Sequence, residues 1–239
     1  MAISLKISPR ILPSISTLYN DCNRVIMEYI DNSLDSAEQY FDRTANSYKR
    51  TIKITLQIEG GSYRNGKVTI TDNCSGIDNI TKVVESVGDS DKKAQAWTNG
   101  QFGYGIYSFM AVCSKLEIIT KTEGNRAHCI SIHKSQFNAK KVEDVTFPDP
   151  RAINEFDSPS GTKVILSEFL SDSWKQLDVQ ELRSEIEKHF ELILSRSELK
   201  IRLIDEANEK YICKPFDYAQ YEGDYYPDEL KELETSKSR

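Results

Sequence analysis

The sequence predicts an α+β fold: two layers, with helices covering one face of a mixed, mostly antiparallel sheet. Two observations carry this. Apolar residues recur at helical spacing over residues 16–41 and again over 178–195. Between and after them, short segments alternate apolar and polar residues, and turn-forming residues join them as hairpins require. Helices interleaved with hairpin-linked strands pack as layers, each burying one face.

The first helix spans about residues 16–41. Leu18, Cys22, Val25, Ile26, Tyr29, Ile30, Leu34, Ala37 and Phe41 share one side, and Ser14 or Ser16 supplies the cap. Asp21, Arg24, Glu28, Asn32, Asp35 and Gln39 occupy the opposite side. In residues 51–58, Ile52, Ile54, Leu56 and Ile58 alternate with polar residues, the pattern of a half-buried strand. The glycine-rich turn of residues 59–67 leads into a second strand over 67–71, ending at Asp72. A short helix from Ile77 or Asp78 to about Val87 stops at Gly88. Residues 88–105 are polar and glycine-rich, a loop, and 106–112 form a buried helix. Strands recur at 115–120, 127–133 and 162–167. Residues 138–160, with Pro148, Pro150 and Pro159, form a long connection. The second amphipathic helix, 178–195, turns Leu182, Ile186, Phe190 and Ile193 inward, and 199–204 with 210–214 make a final hairpin.

The chain has 239 residues and a mass of 27.3 kDa, enough to bury a core without staples. Residues 1–215 form one domain. Residues 216–239 are an acidic tail with Tyr218, Tyr221, Tyr225 and Tyr226, or the start of a truncated downstream domain. Thirty-one basic against 37 acidic side chains give a net charge of −6. That excludes coating of nucleic acid by bulk charge and leaves room for a local basic patch. No apolar run approaches the roughly 18 residues of a membrane span, and the N-terminus lacks a secretory h-region. Cys22, Cys74, Cys113, Cys129 and Cys213 are odd in number and widely spaced, without a CxxC pair, as free thiols of a reducing cytoplasm are.

Four places could carry chemistry. Glu28, Asn32 and Asp35 are spaced i, i+4, i+7 and lie on one helical stripe, where oxygens one turn apart can serve a water and a hard cation. Asp72-Asn73-Cys74-Ser75-Gly76-Ile77 follows a strand; an Asp there can accept from a ligand amine, and Gly76 lets a flat ring approach the backbone. Gly100, Gln101, Phe102, Gly103, Tyr104 and Gly105 precede an apolar helix, so exposed N–H groups favour phosphate; Lys92 and Lys93 lie upstream. Ser160-Gly161-Thr162 opens a strand with a hydroxyl. Taken singly, each also fits an ordinary role: a solvated helix face, a strand-to-helix turn, a flexible loop, a strand start.

In their order they describe a site for Mg-ATP. The segment E-Y-I-D-N-S-L-D-S resembles the first motif, E-x-x-x-N-x-x-D-A, of the GHKL superfamily of gyrases, large heat-shock chaperones, histidine kinases and mismatch-repair ATPases. D-N-C-S-G-I resembles that superfamily's D-N-G-x-G-I, and S-G-T-K-V-I-L its fourth motif. G-Q-F-G-Y-G-I-Y-S is similar to its lid motif, nearest the version in ninety-kilodalton heat-shock chaperones. G-D-S-D-K, Gly88 to Lys92, is similar to a loop of microrchidia-type members. The resemblance covers about residues 15–205. It implies the GHKL ATP-binding fold, ATP or ADP and Mg²⁺ as ligands, and ATP-dependent lid closure and homodimerisation. Glu28 would be the general base, Asn32 the Mg²⁺ ligand, and Asp72 the acceptor of the adenine amine, supported by Gly76 and Thr162. Gly100 to Gly105 would be the lid, and Asp35, Ile77 and Lys92 complete the nucleotide-binding set. Two positions depart from the pattern: Cys74 replaces a motif glycine, and Ser36 the usual Ala.

Three functions compete. The first is an ATPase that dimerises when the lid closes. The second is a nucleotide-binding switch with negligible hydrolysis, since hydrolysing relatives often receive a Lys from a downstream transducer domain and this chain ends too early to hold a full one. The third is a histidine-kinase-like phosphotransferase. Glu28 stands against it, because that group typically carries Asn there, and His128, His133 and His189 fall outside any helical hairpin. A nucleic acid or protein client would be reached through downstream domains.

Overall fold

The computed structural model describes residues 19, 21–85, 105–138, 145–154 and 156–217. The predicted loop, with Lys92, Gly100, Gln101, Phe102, Gly103 and Tyr104, lies outside them, as do the tail beyond 217 and the first eighteen residues.

Helix α1 spans Cys22–Ala37. It begins later than the apolar periodicity suggests because Asp21 caps it, accepting from the Asn23 N–H at 2.9 Å. It ends early because a 3₁₀ turn, Glu38–Tyr40, hands the chain to a short strand β1, Phe41–Asp42. Phe41 there packs on Tyr48, with ring centroids 5.2 Å apart. Strand β2 runs Ser47–Glu59, longer than the alternating segment, since it pairs with β1, β3 and β8 along its length. Strand β3 is Lys67–Asp72. Helix α2, Ile80–Glu85, starts after the predicted residues; the Asn79 side chain accepts from the Lys82 N–H at 2.9 Å. Residues 105–111 form a 3₁₀ helix, where an α-helix over 106–112 was expected, and it closes with an i→i+3 bond from Val112 to Phe109.

Strands β4 (Cys113–Lys121), β5 (Ala127–His133) and β7 (Gly161–Phe169) contain the predicted segments. The long connection holds more order than its prolines suggest, since strand β6, Arg151–Ile153, pairs there with β5; a 3₁₀ turn, Lys134–Asn138, leads into it. A short helix α3, Ser171–Lys175, was not foreseen. The second long helix is split. Helix α4, Val179–His189, ends where Phe190 leaves helical geometry at φ −106° and ψ 19°, and α5, Glu191–Leu194, follows. Phe190 is buried, and its ring anchors the break. Strands β8 (Ser197–Ile204) and β9 (Lys210–Ile212) form the final hairpin.

The strand order is β6-β5-β4-β7-β3-β2-β8-β9, with β1 beside β2. Every pairing is antiparallel except β2 with β8, so the sheet is mixed and mostly antiparallel, as predicted. One core joins Val25, Ile26 and Ile30 of α1 and Leu182 and Ile186 of α4 to the inward residues of the sheet, including Ile54, Ile70, Leu116 and Ile201. These are the two expected layers. Burying such side chains stabilises by about 1.5–3 kcal/mol each before entropy is counted. All five cysteines are free and buried. Among the described residues no helix is long and apolar enough to cross a membrane.

Candidate functional site

The register of the sheet builds the site. Ile70 of β3 pairs with Val164 of β7, so Asp72, two residues on, falls beside Thr162 on the helix-facing side. Thr120 of β4 pairs with Thr162. An acid and two hydroxyls thus stand side by side at one end of three adjacent strands, under α1.

Asp72 is buried, with 5% of its surface exposed. Its Oδ2 accepts from the Ser33 hydroxyl at 2.9 Å. Its Oδ1 accepts from the N–H of Cys74 at 2.9 Å and of Thr162 at 3.2 Å. A carboxylate offers about four lone-pair sites, and the Cys74 side chain also bonds to this one. Burial raises the carboxyl above its ordinary range, against the lowering effect of these donors. Thr120 Oγ1 accepts from the Ile77 N–H at 2.8 Å and lies 3.2 Å from the Gly161 carbonyl and 3.3 Å from Thr162 Oγ1. The Ser160 hydroxyl donates to the Cys74 carbonyl at 2.6 Å.

Gly76 sits at φ +77°, and a Cβ there would lie 2.1 Å from the Lys121 carbonyl oxygen. At Gly161, which sits at φ +142°, a Cβ would lie 2.2 Å from the Asp72 carbonyl oxygen. Only glycine fits either contact. Cys74 needs no such freedom: it is fully buried, with a φ outside the left-handed region, and its thiol lies 3.5 Å from the Ser33 carbonyl. The loop therefore keeps its hydrogen bonds with a cysteine in place of the motif glycine.

Glu28 and Asp35 are half-buried on α1 and Asn32 is exposed, along the predicted stripe. Burial, then the neighbouring Asp31 charge, raises the Glu28 carboxyl; Arg24, the Tyr19 hydroxyl and His189 oppose the rise. A Cβ on Gly105 would come 3.0 Å from Glu28 Oε2, so the start of the 3₁₀ helix meets this carboxylate. The Tyr29 hydroxyl donates to the Ile106 carbonyl at 2.9 Å and fixes that contact. The structure thus brings Asp72, Gly76, Ile77 and Thr162 into one cluster, and Glu28 to Gly105.

Ser33, Thr120 and Tyr19 were missed as site residues. Ser33 is a hydroxyl inside an apolar stripe, flanked at helical spacing by Ile30 and Ala37, which is the signal that could have found it. Thr120 stands out only once strand register is known. Among the described residues no three His, Cys, Asp or Glu side chains cluster to hold a metal. Oxygen donors on α1 still suit a hard cation such as Mg²⁺, which takes one or two protein oxygens and keeps waters and phosphates for the rest. His128 and His133 lie in β5 and His189 ends α4.

Residues 19–162 match the family described as histidine kinase-, DNA gyrase B-, and HSP90-like ATPase. The chain is similar to the chaperone protein HtpG of Vesicomyosocius okutanii subsp. Calyptogena okutanii (strain HA), at 27% identity over 194 residues, covering 73% of this chain and 29% of that protein. HtpG of Ruthia magnifica subsp. Calyptogena magnifica is 26% identical over 152 residues, covering 56% of this chain and 25% of its own length. The chain thus spans under a third of the relatives it matches.

Proposed function

The chain belongs to the family of histidine kinase-, DNA gyrase B-, and HSP90-like ATPases, and on that premise we propose that it binds ATP with Mg²⁺ and hydrolyses it. The nucleotide-binding unit is residues 1–215, with 216–239 as a tail. The observation that carries the reading is Asp72: a buried carboxylate held by Ser33, Cys74 and Thr162 beside a glycine loop. Such a group fits an adenine amine, and Gly76 keeps the backbone clear beside it. The side-chain oxygen of Asn32 would hold the cation, with Asp35 in the nucleotide-binding set. Magnesium, when bound, neutralises charge on the phosphate oxygens.

Glu28 takes up or orients a proton of the attacking water. Its raised carboxyl pKa suits that role, since a general base works best near the operating pH. Tyr19 and Gly105 hold the carboxylate in place. Lys92 and the loop of Gly100, Gln101, Phe102, Gly103, Tyr104 and Gly105 close over the phosphates, and closure favours an ATP-dependent homodimer. The five free cysteines support a reducing, cytoplasmic setting. A switch with negligible turnover is the second reading.

Calorimetry with ADP and a non-hydrolysable ATP analogue tests the binding. Saturation at 100 times Kd should add about 2.7 kcal/mol of stability. Asp72→Asn removes the charged acceptor, and a hydrogen bond to a charged group contributes about 1.5–3 kcal/mol, so affinity should fall about ten- to hundredfold. Absence of heat and of thermal shift at millimolar nucleotide would refute the reading.

A further inference from the structure

We propose that the open face of the sheet, opposite the helices, docks the phosphate backbone of nucleic acid. Strand alternation sends Ile52, Ile54 and Leu56 into the core and Lys53, Thr55 and Gln57 to this face. The same parity puts Lys67 and Thr71 of β3, Lys163 and Ser167 of β7, Lys115 of β4, and Lys200 and Arg202 of β8 there. Lys53 pairs directly with Lys200 across the parallel β2–β8 ladder. Both are exposed, and Arg202 follows on the same side. Like charges directly opposite each other destabilise a sheet, so this pairing calls for an anion outside the fold. Among the described residues, the ion pairs involving these cations are Lys115 with Glu117 at 3.2 Å and Lys163 with the exposed Asp157 at 3.9 Å. Glu59, at the end of β2, and Glu198 of β8, which accepts from the Thr51 hydroxyl, are further acids of this face.

The row Arg202-Thr55-Thr71-Lys163 crosses four strands, roughly 14 Å at about 4.8 Å per strand. Two cations flank two hydroxyls there, and both kinds of group donate to phosphate oxygens. The chain as a whole is acidic, so this is a local patch, not a bulk effect. Two other anions fit less well. The chain leaving β9 runs toward the helices as far as Phe216: the Lys214 N–H donates to Glu187 of α4 at 3.0 Å, and the Lys188 ammonium lies 5.2 Å from the Phe216 ring. An acidic protein would want aromatic anchors at the centre of its contact, and the central strands show this face no Phe, Tyr or Trp among the described residues. Recognition would therefore follow the backbone and ignore base sequence.

The experiment is fluorescence anisotropy of the full chain, without nucleotide, against a labelled duplex of about 30 base pairs at about 50–200 mM salt. Its outcome is independent of the ATP reading. Binding should weaken linearly with log salt. Lys53→Gln/Lys200→Gln/Arg202→Gln should weaken it for any sequence and reduce the salt slope by about one per side chain. Lys67→Gln/Lys115→Gln, on other strands, should act in the same direction and serves if the triple variant melts early. Arg43→Gln/Lys175→Gln/Lys188→Gln makes the same change in net charge elsewhere and should leave binding intact. No binding by the unaltered chain at low salt, equal loss in the control, or better competition by a poly-glutamate peptide than by the duplex would each overturn the proposal.

Discussion

A carboxylate buried at a strand end is expensive, and Asp72 offsets that expense with the Ser33 hydroxyl and the N–H groups of Cys74 and Thr162. The balance still leaves its carboxyl raised from the ordinary 3.8, with burial as the main cause. A carboxyl raised on folding contributes its full stability below the unfolded value and loses it as pH rises through the folded value. The apo protein should thus lose melting temperature relative to Asp72→Asn as pH climbs from about 4 toward neutrality. Thermal melts of both proteins across that range measure it; the opposite slope would mean the donors outweigh burial. Gly76 makes a second prediction at this scale. An Ala there would keep a φ of +77° and push its Cβ against the Lys121 carbonyl. Gly76→Ala should cost more than about 1 kcal/mol, read by denaturant midpoint. The sequence made Asp72 and Gly76 legible, because turn residues after a strand stand out. It hid Ser33, whose partner is 39 residues away and whose helical position otherwise belongs to the core.

At the scale of elements, apolar periodicity located the helices and capping decided where they begin. α1 starts at Asp21 and α4 at Asp178, each a side chain accepting from N–H groups of the first turn. Asp178 accepts from Gln180 and Glu181 at 2.9 and 2.8 Å. Asp178→Ala should cost about 1 kcal/mol by leaving those donors to water, and should leave nucleotide affinity unchanged, because α4 contributes no group to the Asp72 cluster. A parallel loss of affinity, measured by calorimetry, would place α4 within the site. The break at Phe190 was not legible because periodicity continues through it: Ile186, Phe190 and Leu194 are all buried. Tertiary burial of Phe190, not local propensity, set the kink. The 3₁₀ geometry of Gly105–Ala111 was likewise hidden, since an apolar run of that length has no periodicity to distinguish the two helices.

At the scale of the whole molecule, the two layers meet at the site: α1 brings Glu28 from the helical layer, and β3, β4 and β7 bring Asp72, Thr120 and Thr162 from the sheet. On the proposed function, this division separates holding from chemistry and the enzyme reading from the switch. Glu28 meets Gly105 and the Tyr19 hydroxyl, with no contact to the Asp72 cluster among the hydrogen bonds of either group. Glu28→Ala should therefore leave ATP bound with little change in Kd while turnover is lost, because general-base contributions are typically 10²–10⁴-fold. If hydrolysis resets a closed dimer, the variant should accumulate that dimer in ATP, read by light scattering. A solvated surface glutamate would instead change stability by less than about 0.5 kcal/mol and leave turnover alone. Steady-state ATPase assays on both proteins, run beside the scattering, separate these outcomes. Turnover that survives Glu28→Ala removes the general base from the reading. An unaltered protein that binds ATP without turnover leaves the nucleotide switch.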